Sequence, residues 1–157
     1  MSDLSIDFSR FCDRLKFHVS SDIILNNYLS SDYLWNSKFI RSKLCLAIGN
    51  YYQMEQETVC DIAVVSELIH NASLIHDDII DGDELRRNVP SIWKQHGKNN
   101  AILLGDLLIA KSFNIISNLE ISDSSKVVAV ELLSETISAL VKGVFHEINE
   151  DFKNQLD

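Results

Sequence analysis

The sequence has few residues that break helices. Its 157 residues include one proline and five glycines, which disfavours an architecture of short strands and turns and leaves room for long helices. Hydrophobic residues make up 46% of the chain, enough for one core at this length. These features predict an all-α fold and a single domain over residues 1–157.

Positive charge and paired cysteines are also scarce. The chain has 14 Lys and Arg against 23 Asp and Glu, a net charge of −9. This balance opposes unaided binding to nucleic acid or to anionic membranes. The three cysteines are odd in number and lack CxxC spacing, which is typical of reduced thiols in a cytoplasmic protein. No run of residues indicates a signal peptide or a transmembrane segment, so the expected location is the cytoplasm.

Apolar residues at helical spacing predict about five helices. The expected segments are residues 3–29, 38–51, 58–81, 99–118 and 123–151. Gly82 is expected to end the third helix and Pro90 to lie in a loop. Asp123 is a candidate cap for the fifth helix. We find no repeat, low-complexity segment or interdomain linker in the sequence.

A dense acidic segment, SLIHDDIIDGDELRRN, continues the apolar stripe of the third helix. Asp77 and Asp81 are one turn apart on the same helix face, with Asp78 beside them. Mg²⁺ prefers carboxylate oxygens and is often bound by a few of them together with substrate phosphates. Arg86 and Arg87 follow in the sequence, and guanidinium groups match phosphate geometry in a fork. This combination predicts a site for a metal-bridged diphosphate.

Three other interpretations fit parts of the acidic segment. A charge run at a helix end is most often solvated surface, but these acids extend an apolar stripe that a core helix needs, which favours a cavity lining. A calcium-binding loop would explain Asp77, Asp81 and Gly82, yet two of its other ligand positions are broken. The neighbouring His76 and Asp77 would suit a metal phosphohydrolase, which requires further His and Asp ligands.

Residues 67–113, ELIHNASLIHDDIIDGDELRRNVPSIWKQHGKNNAILLGDLLIAKSF, closely resemble the first aspartate-rich region of the trans-type isoprenyl diphosphate synthases. The resemblance extends backward to SKFIRSKLCLAIG and more faintly forward to LVKGVFHEINEDF, so it covers most of the chain from about Ser37. It implies an antiparallel helical bundle of the isoprenoid synthase type, of which this chain would form about half. Asp106, in the GD pair with Gly105, is expected to be a buried structural acid rather than a metal ligand.

The resemblance assigns roles to matching positions. It implies that Mg²⁺ is held against an allylic diphosphate by three acids: Asp77, Asp78 and Asp81. Arg86 would contact the same allylic diphosphate. Four residues would form the isopentenyl diphosphate site: Lys38, Arg41, His70 and Arg87. The family reaction is ionisation of the allylic diphosphate, attack on the carbocation by the isopentenyl double bond, and proton loss. Metal and arginines would stabilise the charge on the leaving diphosphate.

The resemblance therefore implies a Mg²⁺-dependent prenyltransferase that makes a polyprenyl diphosphate. The catalytic residues would be the three acids and Arg86. Ala72 and Ser73 stand at the positions that limit product length in this family, and their small size implies a medium or long chain. Taken singly, Lys38 and Arg41 also fit an ordinary surface pair, and His70 also fits a hydrogen-bonded helix histidine.

The sequence also departs from the family pattern. The family fold is about twice this length, and no second DDxxD occurs after Asp81. Ser37 and Ser42 replace the usual glycine and the usual proline or glycine around the basic element. Two functions stay open. The chain is an enzyme that acts as a homo-oligomer or with a partner carrying the C-terminal half, or it is a non-catalytic or regulatory subunit that binds Mg²⁺-diphosphate or a partner synthase.

Overall fold

The computed structural model describes residues 4–29 and 31–154, and most of them are helical. Within these ranges there are eight helices and one two-stranded sheet: α1 (Leu4–Ser20), α2 (Ile23–Tyr28), α3 (Ser31–Trp35), α4 (Ile40–Tyr51), α5 (Gln56–Asp81), β1 (Leu85–Arg86), β2 (Val89–Pro90), α6 (Ile92–His96), α7 (Lys98–Ser117) and α8 (Asp123–Asn154). The predicted all-α class is confirmed. Packing groups the chain into two compact units, Met1–Glu120 and Ile121–Asp157.

The segment predicted as one helix over residues 3–29 is two helices, and residue 3 lies outside the described residues. The break comes from Asp22, whose backbone is extended. Its Oδ1 accepts hydrogen bonds from the backbone N–H groups of Ile24 at 2.9 Å and Leu25 at 3.2 Å. An aspartate in this position caps a new helix, so the apolar spacing continues while the helix does not.

The loop expected around Pro90 is a short β-hairpin. Arg86 pairs with Val89 in an antiparallel register. Arg87 and Asn88 form the turn with φ of 54° and 67°. Two consecutive left-handed residues are typical of a type I′ turn, whose twist matches that of the flanking strands. Strands of two residues carry no readable periodicity, which is why the sequence did not predict the hairpin.

Helix α5 is central to the first unit and packs against α1, α4 and α7. The side chain of Glu55 caps its start by accepting hydrogen bonds from the N–H groups of Glu57 and Thr58. Its end is at Gly82, where φ is 74°, so the predicted glycine stop is confirmed. Most of the helix is buried, and the acidic residues follow where it reaches the edge of the core.

A charged cluster fixes α1 to α5. Asp61 accepts hydrogen bonds from Arg14 Nε at 2.8 Å and from His18 Nε2 at 3.0 Å. Burial raises the pKa of Asp61, but the bonds from His18 and Arg14 outweigh it and hold the pKa of the carboxyl below its usual value. The carboxylate therefore stays ionised and keeps both partners.

Helix α4 approaches α5 as closely as its backbone allows. A Cβ atom built on Gly49 would lie 2.5 Å from both γ-methyl groups of Val59. Val59 is 2% exposed, so it could move aside only at a cost to the packing of the core. Glycine at position 49 therefore sets the distance between the two helices.

Two helices, Gln56–Asp81 and Lys98–Ser117, are long and apolar enough to cross a membrane by length and composition alone. No transmembrane segment was expected from the sequence, and that expectation stays a prediction, because the criterion rests on length and composition only. In the first of them, 72% of the apolar window is buried inside the protein. Core helices of globular proteins pass the same test, so the finding is weak evidence for a membrane span.

Helix α8 forms nearly all of the described part of the second unit. Asp123, expected to be its cap, is its first residue. Ser122 takes the capping role, because its Oγ accepts a hydrogen bond from the N–H of Ser125 at 3.2 Å. An aspartate in the first turn still favours the helix through the helix dipole.

Candidate substrate-binding site

The four residues predicted to bind isopentenyl diphosphate line one cavity of about 540 Å³. Lys38 lies in the loop before α4 and Arg41 in the first turn of that helix. His70 lies in the middle of α5, and Arg87 lies in the hairpin turn. The fold thus brings together side chains that are up to 49 positions apart in the sequence (87 − 38). We call this space, defined by Lys38, Arg41, His70 and Arg87, the cation cavity.

The electrostatics of the cation cavity favour an anion. Burial, and then the positive charges of Arg41, Arg87 and Arg86, lower the pKa of His70 to about 4. The imidazole is therefore neutral near pH 7 and can donate or accept a hydrogen bond. The fixed positive charges remain on the lysine and arginines, which suits a phosphate group.

Glu67 and Ser42 are among the residues of the cavity region that were not assigned to it from the sequence. Glu67 lines the cavity and is 1% exposed. Its Oε1 accepts a hydrogen bond of 2.7 Å from Oγ of Ser42, which is itself buried. This contact ties the first turn of α4 to α5. Glu67 is an acid on the apolar stripe of a core helix, and this feature of the sequence could have identified it as a candidate site residue.

The loop that carries Lys38 is held by a buried aromatic residue. Phe39 has φ of 50° and precedes α4. Its ring lies 5.6 Å from the ring of Phe11 and 5.8 Å from that of Trp35, measured between centroids. Aromatic packing of this kind stabilises beyond the buried area alone. The left-handed backbone and the packed ring together fix where Lys38 enters the cavity.

Among the three acids, Asp78 is turned into the core. It is fully buried, and its Oδ1 accepts a hydrogen bond of 2.7 Å from Nε of Arg86 and a second one from Nη2 of the same residue. Nη2 of Arg86 also lies 3.6 Å from Oδ2 of Asp83. The arginine predicted to contact the allylic diphosphate is thus engaged with an acid of the predicted metal set.

Asp77 and Asp81 lie on the outer side of the same helix end. Burial raises the pKa of Asp77, and the negative charge of Asp81 raises it further. Two hard oxygen donors that repel each other are a suitable pair for a divalent cation such as Mg²⁺. Within residues 4–29 and 31–154, no group of three or more His, Cys, Asp or Glu side chains is arranged to hold a metal ion.

Asp106 is not the buried acid that was expected. Its side chain is 62% exposed, and its Oδ1 lies 3.6 Å from Nε2 of His76. The preceding Gly105 is buried against that same imidazole, and any Cβ at this position would collide with it. The GD pair therefore allows α7 to pack closely against α5 beside the acidic segment.

The two residues assigned to product length lie one turn before the first acid. Ala72 is 1% exposed and belongs to the core. Ser73 is half-buried, and its Oγ donates a hydrogen bond of 2.9 Å to the carbonyl of His70. A bulky side chain would be accommodated more easily at Ser73 than at Ala72.

The sequence matches the polyprenyl synthetase family over residues 25–157. The chain belongs to the polyprenyl synthetase family. Curated relatives include the geranylgeranyl diphosphate synthase of Methanosarcina mazei, 32% identical over 130 residues, covering 82% of this chain and 40% of the relative. The short chain isoprenyl diphosphate synthase of Methanocaldococcus jannaschii is 35% identical over 143 residues, covering 90% of this chain and 42% of the relative. The family resemblance found in the sequence is confirmed.

Solved structures of polyprenyl synthetase relatives share the fold. A geranylgeranyl pyrophosphate synthetase from Geoglobus acetivorans superposes with a TM-score of 0.83 at 24% identity, covering 93% of this chain and 48% of that one. A geranyltranstransferase from Thermotoga maritima superposes with a TM-score of 0.71 at 29% identity, covering 92% of this chain and 53% of that one. The chain thus spans about half the length of these structures and less than half that of the two curated relatives.

Replacing His70 with Gln is expected to reduce the loss of stability at acidic pH. The pKa of His70 is about 4 in the folded protein and ordinarily 6.5, so the unfolded chain binds more protons between these values. Stability that depends on neutral His70 is thus lost as pH falls from about 6.5 to about 4. Glutamine does not titrate. Urea unfolding at pH 7.5 and 5.0 measures the effect.

Wild type and H70Q are unfolded in urea at both pH values, and each protein serves as the control for the other. At pH 7.5 both side chains are neutral, so wild type and H70Q should unfold at similar urea concentrations. At pH 5.0 the variant should be the more stable of the two. An equal loss of stability in both proteins between these pH values would contradict the assignment.

Proposed function

We propose that this chain carries the isopentenyl diphosphate site and part of the allylic diphosphate site of a Mg²⁺-dependent prenyltransferase. The reaction would condense an allylic diphosphate with isopentenyl diphosphate to give a polyprenyl diphosphate. The observation that carries the proposal is the cation cavity, in which Lys38, Arg41 and Arg87 surround a neutral His70. Several fixed cations around one space match the charge of a diphosphate. Family membership supports the same chemistry.

The acidic end of α5 would hold the metal. Half-buried Asp77 and exposed Asp81 supply the carboxylates, and Asp78 contributes by holding Arg86 at the same helix end. When bound, Mg²⁺ would neutralise charge on the diphosphate leaving group. Arg86 adds a fixed positive charge beside it, which costs no reorganisation during the reaction. The apolar residues of α5 and α7 would keep water from the carbocation.

A second function is a subunit that binds Mg²⁺-diphosphate, or a partner synthase, without chemistry of its own. It rests on the same cation cavity, which would bind a diphosphate whether or not condensation follows. As an enzyme, the chain would work as a homo-oligomer or with a partner that supplies the C-terminal half. The acidic balance and unpaired cysteines support a cytoplasmic location.

We also propose that the product is of medium or long chain length. The support is the small size of Ala72 and Ser73, which precede the first acid by one turn. The chain length of the polyprenyl diphosphate formed in the condensation assay tests this proposal. A product only one or two units longer than the allylic substrate would contradict it.

The deciding experiment measures binding and turnover separately. Isothermal titration calorimetry of the purified chain with isopentenyl diphosphate, with and without Mg²⁺, is expected to show binding. Incubation with Mg²⁺, isopentenyl diphosphate and an allylic diphosphate then measures condensation. Binding without turnover supports the non-catalytic subunit, and turnover by the chain alone supports the complete enzyme. Failure to bind any diphosphate would contradict both functions.

A further inference from the structure

The cation cavity is assembled from two separate segments of the chain. One is the loop that carries Lys38, and the other is the hairpin turn that carries Arg87. A side chain of the first segment reaches the second. Nδ2 of Asn36 donates a hydrogen bond of 3.0 Å to the backbone carbonyl of Arg87, across 51 positions of sequence. The contact therefore links the two cationic segments directly.

The turn that receives this hydrogen bond places an arginine in the left-handed region of the backbone. Arg87 and Asn88 have φ of 54° and 67°. Arginine adopts this region rarely, because its Cβ crowds the backbone there. Such conformations persist only when the surrounding structure holds them in place. On the strand side, the turn is held by the pair of Arg86 with buried Asp78. On the cavity side, the hydrogen bond from Asn36 holds it.

We infer that Asn36 is a positioning residue that fixes the Arg87 turn so that its guanidinium faces the same space as Lys38 and Arg41. Asn36 lines the cavity itself, but its Nδ2 is bonded to the backbone carbonyl of Arg87, so it acts on the ligand through that residue. The inference rests on the proposed function, since the ligand is the diphosphate that the cation cavity would take. Without the hydrogen bond the turn relaxes, and the arginine loses its fixed orientation.

The consequence can be measured with inorganic pyrophosphate as the probe and calorimetry as the readout. Asn36→Ala is expected to weaken pyrophosphate binding about fivefold, the size of one lost hydrogen bond. Asn36→Leu, which keeps the size of the side chain and removes its donor, is expected to give the same loss. Asn118→Ala is the matched control, because Asn118 makes a similar bond to the carbonyl of Asn114 away from the cavity.

A double-mutant cycle separates positioning from general damage to the loop. If Asn36 acts through Arg87, then Asn36→Ala has no further effect on affinity once Arg87 is already alanine. A merely structural role would also disturb Lys38, so the two losses would add. Asn36 is exposed, and the melting temperature of N36A should stay within about 2 °C of wild type, as for a surface change.

Each result decides between the possibilities. Losses that add in the cycle, or unchanged affinity in N36A, would overturn the positioning role while leaving the proposed function intact. Wild-type protein that fails to bind pyrophosphate would overturn the proposed function and, with it, this inference. If N36A weakens pyrophosphate binding in the wild-type background but not in the R87A background, both the positioning role and the proposed function are supported.

Discussion

Replacing Arg86 with Met is expected to lower the free energy of unfolding by about 3–5 kcal/mol at pH 7.5. Asp78 is fully buried and pairs with this arginine. Methionine keeps the length of the side chain but leaves the carboxylate buried without a compensating charge. Removing one partner of a buried ion pair is costly for this reason. Urea unfolding followed by circular dichroism measures the change.

The loss should depend on pH with a defined sign. Burial raises the pKa of Asp78, and Arg86 opposes that rise. In R86M the opposition is gone, so the folded-state pKa moves further above the unfolded value. Stability is then retained at low pH, where the carboxyl is protonated, and lost as pH rises. The deficit of R86M should therefore be smaller at pH 5 than at pH 7.5.

The double variant Asp78→Leu/Arg86→Met is the matched control. It removes both charges and fills the space with apolar groups, which is often close to neutral for a buried pair. It should recover most of the stability lost in R86M. If R86M is as stable as wild type at pH 7.5, the ion pair does not contribute as described. Since Arg86 also has a proposed role at the allylic diphosphate, folding and activity must be measured on the same sample.

Replacing Arg41 with Ala is expected to weaken pyrophosphate binding by about 10–100-fold. Hydrogen bonds to charged groups contribute roughly 1.5–3 kcal/mol each, and each 1.4 kcal/mol changes affinity about tenfold. Arg41 is exposed at the first turn of α4 and lines the cation cavity. Its removal should therefore leave the melting temperature nearly unchanged. Calorimetry at fixed ionic strength measures the affinity, because salt screens such interactions.

Lys111→Ala controls for the change in overall charge. Lys111 lies on α7, where its Nζ is 3.4 Å from Oγ of Ser21, and it does not line the cation cavity. The variant loses one positive charge, as R41A does. Equal losses of affinity in the two variants would show that total charge, rather than the placement of Arg41, determines binding.

Much of the fold could be predicted from local sequence signals. The apolar stripe predicted helix α5. Gly82 predicted where the helix ends, because glycine adopts the left-handed backbone without strain. The grouping of Lys38, Arg41, His70 and Arg87 followed from family resemblance. Composition and spacing alone would have allowed each of them to be a surface residue, since residues from separate segments meet only through tertiary packing.

The remaining features depend on contacts between distant segments. Asp78 is oriented by its hydrogen bonds with Arg86, which the hairpin brings back to the end of α5. Helical spacing alone places Asp78 beside Asp77 and does not show which of the two acids is buried. The bond from Asn36 to Arg87 likewise spans 51 positions. The break at Asp22 was local, but the continuing apolar spacing outweighed the capping signal in the sequence.

Gly49 shows that the dimensions of a binding site can be controlled from outside it. This glycine lies eight positions after Arg41 on α4, about 12 Å along the helix axis. A side chain there would force the last turns of α4 away from Val59 on α5. Because Ser42, next to Arg41, is hydrogen-bonded to Glu67 of α5, the angle between the two helices would change, and with it the direction in which Arg41 enters the cation cavity. A residue that carries no charge and does not line the cavity thus determines the geometry of a charged site.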